Sequence, residues 1–488
     1  MSRKPMQKGF ILVCAAVLAA VANVASAADA ALERAAQAMG ANGLKSLRYS
    51  GDGVGYTFGQ AYKPGLAWPK ITVRSFVRTV NYETGSMRDE VLYQRAEALG
   101  GGGYPHVAAQ RDDRYVSGGF AWNVAGNAPV AGPRFIADRI HQLWITPQGV
   151  IMAALKNNAT VRTETRDGKT MSVASFTEPD RFRAIVFIGP NGFVDRVESR
   201  FPDPVLGDTL VVTTYSDYRG FGNVNFPMRI TQAQGGFPIL DLTVREVQPN
   251  APADIQLPDA VKSATERVAV DKVADGVWFL GGGSHNSVAI EMKDYMILVE
   301  TPLNDGRSQA VITEVKKLAA GKPIRYVVNS HVHFDHSGGL RTAVAEGATI
   351  VTHSQNKAYY EKAFANPNTI NPDALAKSGK KPKFITVDDK YVIKDGTRTV
   401  ELYHVADSHH SDNFLMVYLP KERLLVEADS FTPPPPNTPV PAQLNPLHVN
   451  LVDNLGTRKL PVDRILPLHG RVVPSSELYA AIGQTQPK

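Results

Sequence analysis

Four side chains that bind metals well lie within six positions near the middle of the chain. They are three histidines and one aspartate: His331, His333, Asp335 and His336. A β-branched apolar run, Ile324 to Val328, precedes them, and Ser-Gly-Gly followed by a helical pattern comes after them. This order predicts a loop between a buried strand and a helix. Imidazole nitrogen and carboxylate oxygen are typical zinc ligands, so the loop predicts a metal site.

Further candidate ligands follow in the same half of the chain. All but two of the twelve histidines lie after residue 280. The pair His409 and His410 precedes a predicted strand, whereas Asp429 and His469 each follow an apolar run. Layered folds that combine helices and sheets collect such strand-end residues at one edge. The site can therefore be completed from these three segments.

The arrangement resembles the metallo-β-lactamase superfamily. Its signature His-x-His-x-Asp-His is met by the loop at 331–336, and its pattern His-Thr-x-Asp-Asn is similar to residues 409–413, with His409 as the ligand. The bridging carboxylate of the family matches Asp429, and its last histidine matches His469. The resemblance covers residues 267–475 and implies an αββα sandwich with two metal ions, which we expect to be zinc.

The resemblance also implies roles for these residues. One ion would be held by three histidines and the other by three further ligands, with a carboxylate between the ions: His331, His333 and His409; Asp335, His336 and His469; and Asp429. A bridging hydroxide would be the nucleophile, with Asp335 as a candidate proton acceptor. His410 would either donate a hydrogen bond to an oxyanion or face solvent. Glu300 stands where the family commonly has aspartate, and it would support the ligand loop with a longer reach or shift that loop slightly.

The first 27 residues are typical of a secretory signal peptide. Three basic residues precede an apolar stretch from Phe10 to Val24, and Ala25-Ser-Ala27 follows. The apolar stretch is shorter than the ~20 residues that span a bilayer. We therefore expect a periplasmic or secreted protein without a transmembrane anchor. Cys14, the only cysteine, lies in the removed part, so the mature chain would have no disulfides and no thiol ligands.

Charge gives little support for a nucleic-acid partner. The formal net charge is +6, and it falls by three when the basic residues of the signal peptide are removed. No long run of lysine and arginine is present. A nucleic-acid-binding surface would need such a basic patch. The expected partner is a small-molecule substrate, and the oligomeric state is left open.

The 488 residues suit two or three domains. We expect a signal peptide at 1–27, a β-rich domain at 28–248, a proline-containing linker at 249–266 and a catalytic domain at 267–488. The expected fold class is α+β. It combines an antiparallel, half-barrel-like domain with the αββα sandwich.

The expectation for the β-rich domain comes from alternating apolar and polar runs between residues 46 and 247, which are typical of an antiparallel sheet with one exposed face. A helix with one apolar face precedes them, and Gly40 ends it. The segment from Tyr215 to Val247 resembles the half-barrel of periplasmic lipoprotein carriers, which implies an apolar groove for a hydrophobic ligand. A structural or dimerising role is the alternative. His141, on a predicted helix at 134–143, is expected to face solvent.

These observations predict an exported hydrolase that cleaves an ester, thioester or lactone. In the resembling family, a carboxylate at the position of Asp429 is typical of the lactonase, thioesterase and sulfatase branches. The β-lactam-degrading branches usually have cysteine or serine there, so β-lactam hydrolysis is the second hypothesis. A non-catalytic periplasmic binding or carrier protein is the third hypothesis, and a mononuclear iron dioxygenase is the fourth. The segment Pro433–Pro436 is either a rigid wall for the substrate or an interdomain strut.

Overall fold

The computed structural model describes residues 30–97, 102, 108–166 and 168–487. The predicted signal peptide lies outside these residues, and the domain boundaries remain expectations. No helix in the described part of the chain is long and apolar enough to cross a membrane.

One antiparallel sheet dominates the N-terminal part. Its thirteen described strands are β1 (Ser46–Tyr56), β2 (Lys70–Asn81), β3 (Ser86–Arg95), β4 (Gln110–Ser117), β5 (Phe120–Ala125), β6 (Ala128–Ala131), β7 (Thr160–Arg166), β8 (Lys169–Glu178), β9 (Phe182–Ile188), β10 (Val194–Asp203), β11 (Gly207–Phe221), β12 (Val224–Gln234) and β13 (Phe237–Pro249). Strands that are neighbours in sequence pair with each other, except for β6 and β7, which lie at the two edges of the sheet, and β13 pairs with β1. The predicted antiparallel sheet is confirmed.

Three helices pack into one hydrophobic core with this sheet. They are α1 (residues 30–39), α2 (Ile136–Trp144) and α3 (Pro147–Lys156), and a short 3-10 helix (Pro133–Phe135) precedes α2. The predicted apolar face of α1 is buried in this core, and Gly40 ends the helix at a φ of +67°. Leu143 and Ile151 join the same core from α2 and α3. A hydrophobic ligand would therefore have to displace packed side chains here.

The expectation that His141 faces solvent is wrong. The side chain is fully buried, and its Nε2 lies 2.7 Å from Ser199 Oγ. Its ring packs against those of Phe182 and Phe201, with centroid distances of 5.4 Å and 4.9 Å. Burial lowers the pKa of His141 to about 3, so the ring is neutral at neutral pH. Helical periodicity alone does not show which helix face a sheet from elsewhere in the chain will cover.

Two sheets of the C-terminal part share a second core. The seven-stranded sheet contains β14 (Ala269–Ala274), β15 (Val277–Gly281), β16 (Ser287–Glu291), β17 (Met296–Val299), β18 (Ile324–Val328), β19 (Thr349–His353) and β20 (Phe384–Val387). The six-stranded sheet contains β21 (Lys390–Lys394), β22 (Thr399–His404), β23 (Leu415–Leu419), β24 (Leu424–Glu427), β25 (Arg464–Pro467) and β26 (Val473–Pro474). Val288 and Ile297 of the first sheet lie in one apolar cluster with Leu402 and Val426 of the second.

Helices cover these two sheets. They are α5 (Asp305–Leu318), α6 (Phe334–Ser337), α7 (Leu340–Glu346), α8 (Ser354–Ala365), α9 (Ala374–Ser378), α10 (Pro446–Arg458) and α11 (Ser476–Ala481), whereas α4 (Asp259–Lys262) lies against β5 and β6 of the N-terminal sheet. Ile312 of α5 and Leu340 of α7 pack with Leu298 of the seven-stranded sheet. Leu451 of α10 and Leu478 of α11 pack with the six-stranded sheet. The α+β class and the layered C-terminal fold agree with the sequence prediction.

Among the described residues, hydrogen bonds join the N-terminal sheet and the C-terminal sheets with their helices at two places. At one, Asp208 Oδ2 accepts hydrogen bonds from Thr369 N and Oγ1 at 2.9 Å and 2.7 Å, and Asp208 N donates to Pro367 O at 2.7 Å. At the other, the connection between β1 and β2, residues 57–69, reaches the loop at 331–336. We call this connection the β1–β2 loop.

Candidate metal centre

Loops at one edge of the two C-terminal sheets bring the candidate ligands together. They follow β18, β22, β24 and β25, and one turn joins β15 to β16. The side chains that they carry are His331, His333, Asp335 and His336; His410; Asp429; His469; and His285. Because strand ends share an edge, residues up to 184 positions apart become neighbours.

The first group contains three histidines. One ligand atom from each of His331, His333 and His410 lies within 4.8 Å of the others. The Nε2 atoms of His331 and His410 are 3.1 Å apart. Tetrahedral nitrogen ligands of zinc, each 2.0–2.1 Å from the ion, are about 3.3 Å from one another. The spacing therefore suits a divalent cation held between these rings.

The second group contains His285, Asp335, His336 and His469. The Nε2 atoms of His336 and His469 are 3.1 Å apart, and His285 Nε2 lies 3.1 Å from Asp335 Oδ2. His469 Nδ1 donates to Ser284 O at 2.8 Å. A carbonyl oxygen can only accept, so Nδ1 of His469 carries a proton, and in the neutral ring the lone pair of Nε2 faces the group.

Asp429 lies between the two groups. Its Oδ2 is 2.8 Å from His336 Nε2, 3.4 Å from His331 Nε2 and 3.5 Å from His410 Nε2. Its Oδ1 is 3.2 Å from His469 Nε2. One carboxylate thus contacts ligand nitrogens of both groups, which is the position of a bridging ligand.

The protonation states in the site also suit cations. Burial lowers the pKa of His333 and of His285 to about 3, and it lowers the pKa of His331 and of His410. These imidazoles are therefore neutral, and each has one ring nitrogen without a proton. Burial alone would raise the pKa of Asp429, but the neighbouring histidines hold it well below its usual range. Burial would lower the pKa of His336 and of His469 too, but the carboxylate of Asp429 raises both, so these two rings would release a proton on binding an ion.

A family comparison agrees with this geometry. Residues 280–469 match the family model described as "Metallo-beta-lactamase superfamily". The matched residues include every member of the two ligand groups and Asp429.

Other similar proteins cover parts of the chain. An uncharacterized protein of Methanocaldococcus jannaschii is 28% identical over 151 residues, which are 31% of this chain and 34% of that protein, so the match spans about a third of the relative. A metallo-beta-lactamase from Pontibacter korlensis is 18% identical, with 44% of this chain and 97% of that chain covered and a TM-score of 0.35. One from Hirschia baltica is 20% identical, with 45% and 99% covered and a TM-score of 0.33. Similarity of the N-terminal part to lipoprotein carriers is not shown.

Within the matched residues, Glu300 supports the ligand loop. Its Oε1 accepts a hydrogen bond from Ser330 N at 2.6 Å, and its Oε2 lies 3.7 Å from His336 Nδ1. The glutamate therefore reaches toward a ligand histidine from behind, which agrees with the first of the two expectations for it, a longer reach. Glu300 has a φ of +68°, a conformation that non-glycine residues rarely adopt. Carboxylates in this position orient ligand histidines and increase their basicity.

Asn329 fixes the start of the ligand loop. Its Nδ2 donates to His331 O at 2.8 Å, and its Oδ1 accepts from Tyr360 OH at 2.7 Å and from Thr352 Oγ1 at 3.0 Å. All of these groups are buried. Tyr360 is therefore a packed core residue that holds this loop.

The structure does not place His409 in the site. Its side chain is exposed and lines a surface cavity beside Asp389 and Asn450, and it belongs to neither ligand group among the described residues. Asn413 Oδ1 accepts a hydrogen bond from Val332 N at 2.9 Å. This bond sets the register of the loop that carries His409 and His410 against the ligand loop at 331–336. In this register the neighbouring side chain, His410, points inward. His410 thus takes the ligand position that the sequence pattern gave to His409, and it is neither exposed nor placed as a separate oxyanion donor.

His285 is a site residue that the sequence patterns do not assign. It lies in the glycine-rich turn at 282–286, which matches none of the ligand motifs. Asn286 Nδ2 donates to Gly470 O at 2.9 Å and to Pro467 O at 3.2 Å, which joins this turn to the loop of His469. The signal that the sequence did contain was a histidine in a glycine-rich turn, followed directly by Asn286, whose side-chain amide can hold such a turn in place.

The segment Pro433–Pro436 lies beside the loop of His469. A Cβ atom built on Gly470 would be 3.1 Å from Pro433 Cδ, and Arg471 Nη2 donates to Pro434 O at 3.4 Å. These contacts favour a rigid wall at the rim of the site over an interdomain strut.

Proposed function

We propose that this protein is an exported hydrolase that uses two divalent ions, zinc in the first instance, to cleave an ester, thioester or lactone. The observation that carries the proposal is the carboxylate of Asp429 between two groups of histidines, with Oδ2 2.8 Å from His336 Nε2 and Oδ1 3.2 Å from His469 Nε2. A mononuclear site or a binding site without chemistry has no need of such a bridge.

Each ion would have its own set of ligands. One set is His331, His333 and His410, the other is Asp335, His336 and His469, and Asp429 is shared. Ions held there would lower the pKa of water and polarise a substrate carbonyl. His285 donates its Nε2 proton to Asp335 Oδ2, because a carboxylate with a low pKa can only accept. This hydrogen bond orients Asp335, the candidate proton acceptor.

Exposure indicates the direction from which a substrate would approach. The side chains of Asp335, His469 and Asp429 are 25%, 19% and 16% exposed, whereas those of His331 and His410 are 0% and 2% exposed. We therefore infer that substrate enters over the second group of ligands, beside the wall formed by Pro433–Pro436. The first group remains shielded from solvent.

The substrate class follows from the bridge. The sequence resemblance associates a carboxylate at this position with ester, thioester and lactone hydrolysis, and β-lactam hydrolysis is the alternative. The similar structures bear the names of β-lactamases, but at 18–20% identity they do not identify a substrate for this chain. The mature protein should be tested on matched panels of esters, thioesters, lactones and β-lactams. Turnover confined to β-lactams would contradict the assignment.

Metal content provides a direct test of the centre. We expect about two divalent ions per chain, the occupancy of a two-metal hydrolytic site. His331→Ala should lose mainly the ion of the first group, and His469→Ala should lose mainly the other. His448→Ala is a matched control, since His448 is outside both groups. Elemental analysis that found a single iron in the wild type, with no loss in His469→Ala, would instead favour a mononuclear dioxygenase.

Export is the second part of the proposal. Cleavage after Ala27 should give a mature protein that begins at Ala28 and fractionates with the periplasm or the medium. N-terminal sequencing of the accumulated, active protein measures this directly. Detection of Met1 on that form would contradict export through signal cleavage.

A further inference from the structure

The β1–β2 loop of the N-terminal part reaches both of the loops that carry the first three histidine ligands. Phe334 N, within the ligand loop at 331–336, donates to Gly59 O at 3.1 Å. Asp412 N, two residues after His410, donates to Tyr62 O at 3.0 Å. A segment about 270 to 350 positions earlier in the chain is therefore hydrogen-bonded to both ligand-bearing loops.

Two contacts of this loop go to the ligand side chains themselves. Gln60 Nε2 donates to Asp335 Oδ1 at 2.7 Å, which leaves Oδ2 facing the second ligand group. His333 Nε2 lies 3.1 Å from Ala61 O. Because a carbonyl oxygen only accepts, the proton of His333 is on Nε2. Its Nδ1, which is buried and has no hydrogen-bond partner, is then the atom with a free lone pair.

Aromatic packing holds the loop against the ligands. The ring of Phe334 makes edge contacts with Phe58 and Trp68, at centroid distances of 5.2 Å and 5.6 Å. Trp68 Nε1 donates to Gln234 O at 3.2 Å, which ties the cluster to strand β12. Gly59 has a φ of +80°, and a Cβ built on it would lie 2.7 Å from the Phe334 ring. Only glycine allows the loop to approach this closely.

We propose that the β1–β2 loop is a positioning element of the metal centre, and that it sets metal affinity through Gln60 and the carbonyl of Ala61. A ligand histidine commonly donates its second ring N–H to a carbonyl or carboxylate, and loss of such a partner costs ~10–100-fold in affinity or activity. Here the partners of two ligands come from the N-terminal sheet. The C-terminal domain alone therefore lacks part of its own ligand support. This gives the N-terminal part a function, and it rests on the proposed two-metal centre.

The test uses the full mature chain with metal removed, and it measures the two zinc dissociation constants by chelator competition. Gln60→Leu removes the donor, and Gln60→Glu replaces it with an acceptor of the same shape beside Asp335. Both variants should lower the affinity for the ion bound by Asp335 by ~10–100-fold, as expected when a ligand loses its outer hydrogen-bond partner. The visible spectrum of the cobalt-substituted protein should shift as well, since it reports ligand geometry independently of turnover.

Asp208→Asn is the matched control, because Asp208 joins the same two parts of the chain away from the ligands. It should leave both zinc dissociation constants unchanged. Melting of each metal-free variant verifies that it is folded. Wild-type affinities in both Gln60 variants, or equal weakening in Asp208→Asn, would overturn the proposal. If the wild type binds two ions but cleaves none of the tested substrates, the proposed reaction fails while this test still stands.

Discussion

Replacement of Asp429 by alanine is expected to weaken both metal ions and to lower turnover by at least ~100-fold. Loss of an outer hydrogen-bond partner of a metal ligand already lowers metal affinity or activity by ~10–100-fold. Loss of a ligand that two ions share should lower them by at least as much. The reason is geometric, since the two carboxylate oxygens lie within 2.8 Å of His336 Nε2 and 3.2 Å of His469 Nε2. Alanine would also leave buried histidines without their anionic neighbour. Elemental analysis and steady-state kinetics measure the two effects.

Two further variants make this result specific. Asp429→Cys keeps a single anionic donor, and we expect it to retain one ion and part of the activity. Asp463→Ala removes another acid next to a strand, one that is exposed and forms an ion pair with Arg423 at the surface, and it should change neither metal content nor turnover. If Asp429→Ala retained both ions and turned over at near wild-type rates, Asp429 would not be a bridging ligand. The preference for ester or lactone substrates over β-lactams would then lose its main support.

The adjacent histidines 409 and 410 give the second large effect. His410→Ala should lose the ion of the first ligand group, and its turnover should fall by at least ~100-fold. Loss of a direct ligand should cost at least as much as loss of an outer partner. His409→Ala should retain both, since His409 is exposed and outside the site. The two variants differ by one position, so general effects on expression or on the loop are matched.

The opposite outcome would be equally clear. Loss of metal in His409→Ala, with full metal content in His410→Ala, would restore the assignment that the sequence pattern suggested. Zinc content of each purified variant, measured beside the wild type, decides between the two. Thermal melting of the metal-free variants separates loss of a ligand from loss of the fold.

Sequence alone determined the local parts of this protein. The density of ligands between His331 and His336 predicted the metal loop, because their spacing is a property of a few consecutive residues. Alternating apolar residues predicted the antiparallel sheet, since a strand with one buried face repeats every two residues. Asp429 and His469 could be placed at strand ends because each follows a short apolar run. The structure brings both to the site.

The tertiary structure decided what depends on distant contacts. Which of His409 and His410 turns inward depends on the hydrogen bond from Val332 N to Asn413, between two loops far apart in sequence. His285 enters the site because Asn286 holds its turn against the loop of His469. The β1–β2 loop carries no sequence motif for metal support. Its role arises because Gly59 and the aromatic cluster allow it to approach the ligands closely. Such choices are made by packing between segments, and no periodicity within a single segment encodes them.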